Sequence, residues 1–203
     1  MTVSIRRPPP LGSALAVCLA LAACKPATET RTAETAPAPS TAPAATPAAA
    51  VTFAHDPQLD GFGYYFTDAA IQDGNLKLTS LNIGQASDFA DWEAGKRPAT
   101  YAPIFLEFED VTSPTAVNEL GQTYRTVSLR VMPTAYRVDG GEVSFHGANP
   151  NLGPVTFSGT FDLEALKAAK LAGPGEPQPV LTGDLQVGAQ QFRNVSFMYF
   201  GGD

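Results

Sequence analysis

All 12 Phe, all 6 Tyr and the single Trp of this chain lie at or after Phe53. Aromatic side chains carry the largest apolar area per residue, so only the segment from Val51 to Asp203 has the material for a core. It is about 150 residues long, an ordinary size for one domain. Within 51–203 there are 9 Lys+Arg and 18 Asp+Glu, and 9 − 18 = −9. Such a surface repels phosphate backbones and anionic head groups, which excludes a nucleic-acid binder.

The segment before it has a different logic. Arg6 and Arg7 form a positive start, Leu11 to Ala23 is an apolar run of 13 residues, and small residues close it. A bilayer core of ~30 Å needs about 20 apolar residues, so residues 1–23 read as an export signal rather than a membrane helix. Pro8-Pro9-Pro10 follows the arginines where the twin-arginine pattern has apolar residues, which favours the general secretion route.

Leu21-Ala22-Ala23-Cys24 resembles the lipobox of bacterial lipoproteins, with Leu three residues before the cysteine and small residues between. The resemblance implies cleavage before Cys24, a diacylglycerol thioether on its sulfur and acylation of the new amino terminus. Two or three acyl chains anchor stably where one, at roughly 0.8 kcal/mol per buried CH₂, holds only marginally. Ordinary cleavage after Ala20-Leu21-Ala22, leaving Cys24 free, is the alternative. Cys18 falls inside the signal, so the mature chain carries Cys24 alone and has no internal disulfide. Lys25 stands where enteric lipoproteins kept at the inner membrane carry Asp. The analogy therefore points to the outer membrane of a Gram-negative cell.

Residues 25–50 comprise 10 Ala, 6 Thr and 5 Pro among 26 residues, with no apolar side chain larger than Ala. Nothing in them offsets the entropy of folding, so 24–50 reads as a lipidated cysteine followed by a disordered tether. Extended at ~3.1 Å per residue it reaches roughly 80 Å.

From Val51 the patterning is β. Strands are expected at Gly61–Phe66, Leu76–Ile83, Ala102–Asp110, Tyr124–Met132, Tyr136–Val138, Glu142–His146, Val155–Leu163, Leu181–Val187 and Phe192–Phe200. In Leu76–Ile83 the apolar residues change face midway, which calls for a bulge near Ser80 or burial on both faces. Two short helices are expected, one capped by Ser87 and stopped by Gly95, the other capped by Asp162, spanning Leu163–Ala172 and ended by Gly173. Residues 112–122 read as a loop. Phe157-Ser158-Gly159-Thr160-Phe161 and Leu181-Thr182-Gly183-Asp184-Leu185 repeat an apolar-x-Gly-x-apolar pattern, as two paired strands with glycines at one height would. The fold class is all-β: an antiparallel sandwich or barrel of about eight strands with two short helices. Tyr136–Asp139 through Phe157–Asp162, with the late Leu181-Thr182-Gly183-Asp184-Leu185 stretch, is similar to YceI-like periplasmic lipid-binding barrels. The first 85 residues of the domain lie outside that match, and no ligand is carried over from it.

No catalytic constellation stands out. His55 and His146 are the only histidines, and no Ser sits in a G-x-S-x-G elbow. No metal site or cofactor is expected, since ligand spacings such as H-x-x-x-H and the D-x-D-x-D-G loop are absent. Trp92, Tyr101, Tyr64 and Tyr65 are candidates to stack a sugar or an apolar ligand. Glu107 and Glu109, on the solvent face of their strand, are candidates for an acidic site. The leading expectation is a non-enzymatic outer-membrane lipoprotein. Its only assigned attachment is through Cys24, and its partner is an envelope protein or glycan. A carrier of a small apolar molecule and a glycan hydrolase using the acidic strand are the alternatives. A deep apolar cavity would favour the carrier, a carboxylate pair in a cleft the hydrolase, and a filled core under an exposed aromatic patch the binding module.

Overall fold

The computed structural model of the protein describes residues 52–173 and 178–202. The expected export signal, Cys24 and the tether lie outside the described residues. Along the chain run β1 (Phe53–His55), β2 (Gly63–Phe66), β3 (Gln72–Asp73), β4 (Leu76–Ile83), α1 (Ala86–Glu93), β5 (Ile104–Asp110), β6 (Thr115–Val117) and β7 (Thr123–Arg125). They are followed by β8 (Ser128–Val131), β9 (Pro133–Asp139), β10 (Glu142–Asn149), β11 (Gly153–Phe161), α2 (Leu163–Ala172), β12 (Pro179–Val187) and β13 (Gln190–Phe200).

The fold is all-β with two short helices. Ten strands bond edge to edge in the order β1-β9-β10-β11-β12-β13-β2-β4-β5-β8, and β3 adds to β4. Every pairing is antiparallel except β1 with β9, which is parallel. This single sheet curls into a half-barrel rather than splitting into a sandwich. The curl has a covalent reason. Only Met132 separates β8 from β9, yet β8 bonds β5 at one end of the order while β9 bonds β10 near the other. Gly147 of β10 makes room for that corner, since a Cβ there would lie 2.6 Å from the Met132 carbonyl oxygen and 2.9 Å from Val131.

The concave side is filled. Phe108, Phe145, Phe157 and Phe197 are buried to within 1% and belong to one continuous apolar cluster. Gly159 and Gly183 stand opposite each other in β11 and β12. A Cβ on Gly159 would sit 2.6 Å from the Phe157 ring, and one on Gly183 would sit 2.8 Å from it. The glycine pair is therefore what lets Phe157 lie along the curled sheet and meet Phe197 edge-on at 5.5 Å.

The face change in β4 is resolved by both of the anticipated devices: the register with β5 shifts between Leu78 and Ser80, and Ser80 and Asn82 are buried on the opposite face from Leu81 and Ile83. α2 follows expectation, with the Asp162 carboxylate accepting the Ala165 N–H at 2.9 Å and Gly173 at φ 66° ending it.

Four readings need correction. The described residues hold thirteen strands rather than about eight, because β1, β3, β6 and β7 are too short to announce themselves by alternation. Tyr124–Met132 is not one strand. Thr123–Arg125 pairs with β6 in a separate hairpin inside the supposed loop, and the chain then crosses to β5. Val127, expected inward, is consequently half exposed. α1 starts at Ala86 with Gln85 as its cap residue, two residues earlier than a Ser87 cap implies, because Asp88 reaches back to accept the Gln85 N–H at 2.8 Å.

Candidate functional site

On the convex side, antiparallel register aligns Phe200 of β13, Tyr64 of β2, Asn82 of β4 and Phe105 of β5 in one row across four strands. Side chains two apart on a strand share a face, so Phe66 flanks Tyr64, and Met198, opposite Phe66, flanks Phe200; Phe62 stands just before β2. Tyr64 and Phe200 have ring centroids 6.4 Å apart, and Phe66 lies 6.1 Å from Phe200. Phe62, Tyr64, Phe66, Tyr101 and Phe200 are each between 37% and 42% exposed, although they sit on rigid strands or against them. Gly63 separates Phe62 from Tyr64 because the Tyr199 ring packs directly on its backbone and leaves no space for a side chain.

At the β5 end the strip turns polar. Phe105 is covered by Tyr101, edge-on at 5.9 Å, and by the Arg130 guanidinium, 4.8 Å above its ring. Arg130 also donates to Glu107 at 3.3 Å and to the Thr100 carbonyl at 3.1 Å, and Ser128 donates to Glu107 at 3.4 Å. Tyr101 donates to Asp88 at 3.1 Å, on the same carboxylate oxygen that holds Gln85. Burial first, and the Asp88 carboxylate second, push the Tyr101 phenol up to about 12, while Arg130 opposes the shift. Beneath the row, Asn82 is 4% exposed and donates to Ser80 at 2.9 Å; its carbonyl oxygen has no partner.

Four of the six candidates read from sequence therefore share this face: Tyr64 and Tyr101 directly, and Glu107 and Glu109 by alternation with Phe105 along β5; Tyr65 points the other way and is fully buried in the core. Trp92 is not on it either. It is 7% exposed and packs edge-on against Phe53 at 6.3 Å, with Arg97 stacked over Phe53 at 4.5 Å. Its side of α1 is part of the core, as the spacing of Phe89 and Trp92 on an amphipathic helix requires. Sequence reading missed Phe62, Phe66, Phe200 and Arg130. The signal for Phe200 was present, because the last strand is apolar on both faces and one of those faces had to be covered or exposed.

A second concavity of 340 Å³ lies on the outer faces of β9 to β12, between Arg137, Ser144, Ser158, Thr160, Thr182 and Asp184. Arg137 is paired with Asp139 and Asp184 with Arg193, both at 2.6 Å, and Glu142 also lines it. Among the described residues no group of three or more His, Cys, Asp or Glu is placed to hold a metal ion, and no helix is long and apolar enough to cross a membrane. Comparison with protein-family models, with curated proteins and with solved structures finds no match for the chain.

Proposed function

We propose that the chain is a lipid-anchored, non-enzymatic binding module of the Gram-negative outer membrane, and that the convex aromatic strip is its contact surface for an envelope protein. The observation that carries this reading is the strip itself: five aromatic rings held two-fifths exposed, above a sheet whose concave side is filled. Rings that each leave roughly 80 Å² in water make a patch of roughly 400 Å², the size at which exposed apolar surface is usually functional.

Burying it contributes about 10 kcal/mol gross at ~25 cal/mol/Å², which the loss of translational and rotational freedom, ~4–15 kcal/mol, largely offsets. A stable complex therefore also needs polar contacts at the β5 end. Glu107, Glu109 and Asp88 make that end acidic, so the matching surface has an apolar centre and a Lys/Arg rim. The hydrolase alternative is weakened by where the carboxylates are spent: Glu107 on Arg130 and Ser128, Asp88 on a helix cap. Lipidation of Cys24 and the tether supply tethering with a reach of roughly 80 Å.

The test is a Phe66→Ser/Phe200→Ser double variant of the full chain, extracted from membranes in mild detergent beside the wild type. A partner that accompanies the wild type stoichiometrically should be depleted about ten-fold or more in the variant, with the thermal midpoint unchanged. Retention of the same partner by the variant refutes the surface assignment. Release of the wild-type partner by free sugar would assign the strip to a glycan instead.

A further inference from the structure

We propose that the concavity on the outer faces of β9 to β12 is a sugar site, and that the ring it takes carries a protonated amine directed at Glu142. This goes beyond the aromatic strip and does not depend on it. The concavity has a volume of 340 Å³, at the lower end of the range for small-molecule sites.

Strand register sets out its polar groups as a grid. Glu142 of β10 stands opposite Thr160 of β11, and Thr160 opposite Thr182 of β12, so the three form one row across the sheet. Ser144 and Asp184, two residues along β10 and β12, belong to the next row on the same face. Strand spacing and rise make the grid roughly 10 Å across and roughly 7 Å along the strands, a footprint that one sugar ring covers. Between the rows the lining is the backbone of Gly159 and Gly183. Among the described residues, the Ser144, Thr160 and Thr182 hydroxyls and the Glu142 carboxylate have no side-chain partner.

Asp184 is fixed by more than its own strand. The pairing of β12 with β13 slips between Gly183 and Leu185, and in that bulge Asn194 stands at φ 52°, the only non-glycine residue with positive φ among the described residues. The Asn194 N–H donates to Asp184 Oδ1 at 3.0 Å, and Arg193 donates to Oδ2 at 2.6 Å. These bonds, the backbone one first, hold the Asp184 carboxyl below the usual carboxylate range. A carboxylate so held has lone pairs left for a ligand O–H or N–H. On the β9 side, Arg137 is oriented by Asp139 at 2.6 Å and has further N–H groups to donate to a ligand oxygen.

The lining decides the class of molecule. Val143 is its one residue with an apolar side chain, and that side chain is buried on the inner face, so an apolar ligand gains nothing here. Hydroxyls that both donate and accept, beside a fixed acceptor and a fixed donor, match the hydroxyls of a sugar, which also do both. Asp139, Glu142 and Asp184 outnumber Arg137 and Arg193, and both guanidiniums are engaged, so an anionic sugar is disfavoured. Glu142 is the carboxylate without a cation. An amine on the ring supplies it.

The probe is the β-1,4-linked trisaccharide of glucosamine, titrated calorimetrically into the full chain in detergent and mildly acidic buffer, against a detergent blank. Its fully N-acetylated counterpart lacks the charge, and spermidine carries a similar charge without the ring. Expected is saturable binding of the amino sugar about ten-fold or more above either. Glu142→Gln should lower it to the level of the acetylated sugar, whereas Glu119→Gln, in the turn between β6 and β7, should leave it unchanged. Thr160→Val/Thr182→Val, which keeps the shape of two exposed side chains and removes their hydroxyls, should weaken both sugars and leave spermidine as it was. Absence of saturable binding, equal affinity for spermidine or for the acetylated sugar, or an amino-sugar affinity that survives Glu142→Gln overturns the assignment.

Discussion

Tyr64 and Phe200 face each other across β2 and β13 with their ring centroids 6.4 Å apart, and each leaves about two-fifths of its surface in water. The contact stabilises the strand pair, but its outer half has nothing to pack against within the described residues. The same chain buries Phe105 on the same face by folding Tyr101 and Arg130 over it. The difference between a ring that is covered and rings that are not is what separates structural from binding use of this face.

Gly159→Ala should destabilise the domain by about 1–3 kcal/mol, since its methyl would meet the Phe157 ring at 2.6 Å and the Thr182 carbonyl at 2.7 Å. Gly61→Ala, whose nearest neighbour would be Ile83 at 3.6 Å, should leave stability within about 0.5 kcal/mol. Urea midpoints of the two variants check the pair, and equal effects would remove the role given to the paired glycines.

Asp162→Ala should cost about 1 kcal/mol, because the carboxylate satisfies the Ala165 N–H at the start of α2. Asp162→Asn, which keeps an acceptor, should recover most of it. Thermal melts of the three proteins decide between a cap and a merely exposed acid.

Tyr101 ties stability to alkaline pH. Its folded pKa, about 12, stands above the ordinary 10.0. Between those values the unfolded chain gives up the phenolic proton first, so the stabilisation is whole below pH 10 and is lost as pH rises toward 12. The stability advantage of the wild type over Tyr101→Phe should therefore shrink across that interval. Solvent screening keeps the effect small, as the side chain is 37% exposed. An advantage that stays constant would show that the Tyr101–Asp88 contact does not hold the proton.

Much of this fold was written locally. The cap at Asp162, the stop at Gly173, the bulge in β4 and the opposed glycines each rest on a few adjacent residues or on two strands that pair directly. The break inside Tyr124–Met132 was not, because Val127, Leu129 and Val131 alternate as one inward face would, and only the pairing of β7 with β6 pulls Val127 outward. The site divides in the same way. Alternation placed Glu107 and Glu109 on the solvent face of β5. That Phe200 would stand beside Tyr64, or that Glu93 would meet His55 across 38 residues, depends on strand order and helix docking. No short-range pattern encodes those.

Cys24→Ala should abolish incorporation of labelled palmitate and release the protein from the membrane fraction. Labelling that persists in the variant would sink the lipobox assignment and leave the domain without its proposed anchor.

The most direct measurement is photo-crosslinking in living cells, with p-benzoylphenylalanine placed at Tyr64 in one strain and at Ser158, on the polar outer face of β11, in another. A single discrete adduct is expected from position 64, lost when Phe200→Ser is added, and none from position 158. Equal adducts from both positions, or an adduct at 64 that survives Phe200→Ser, would contradict the aromatic strip as the contact surface.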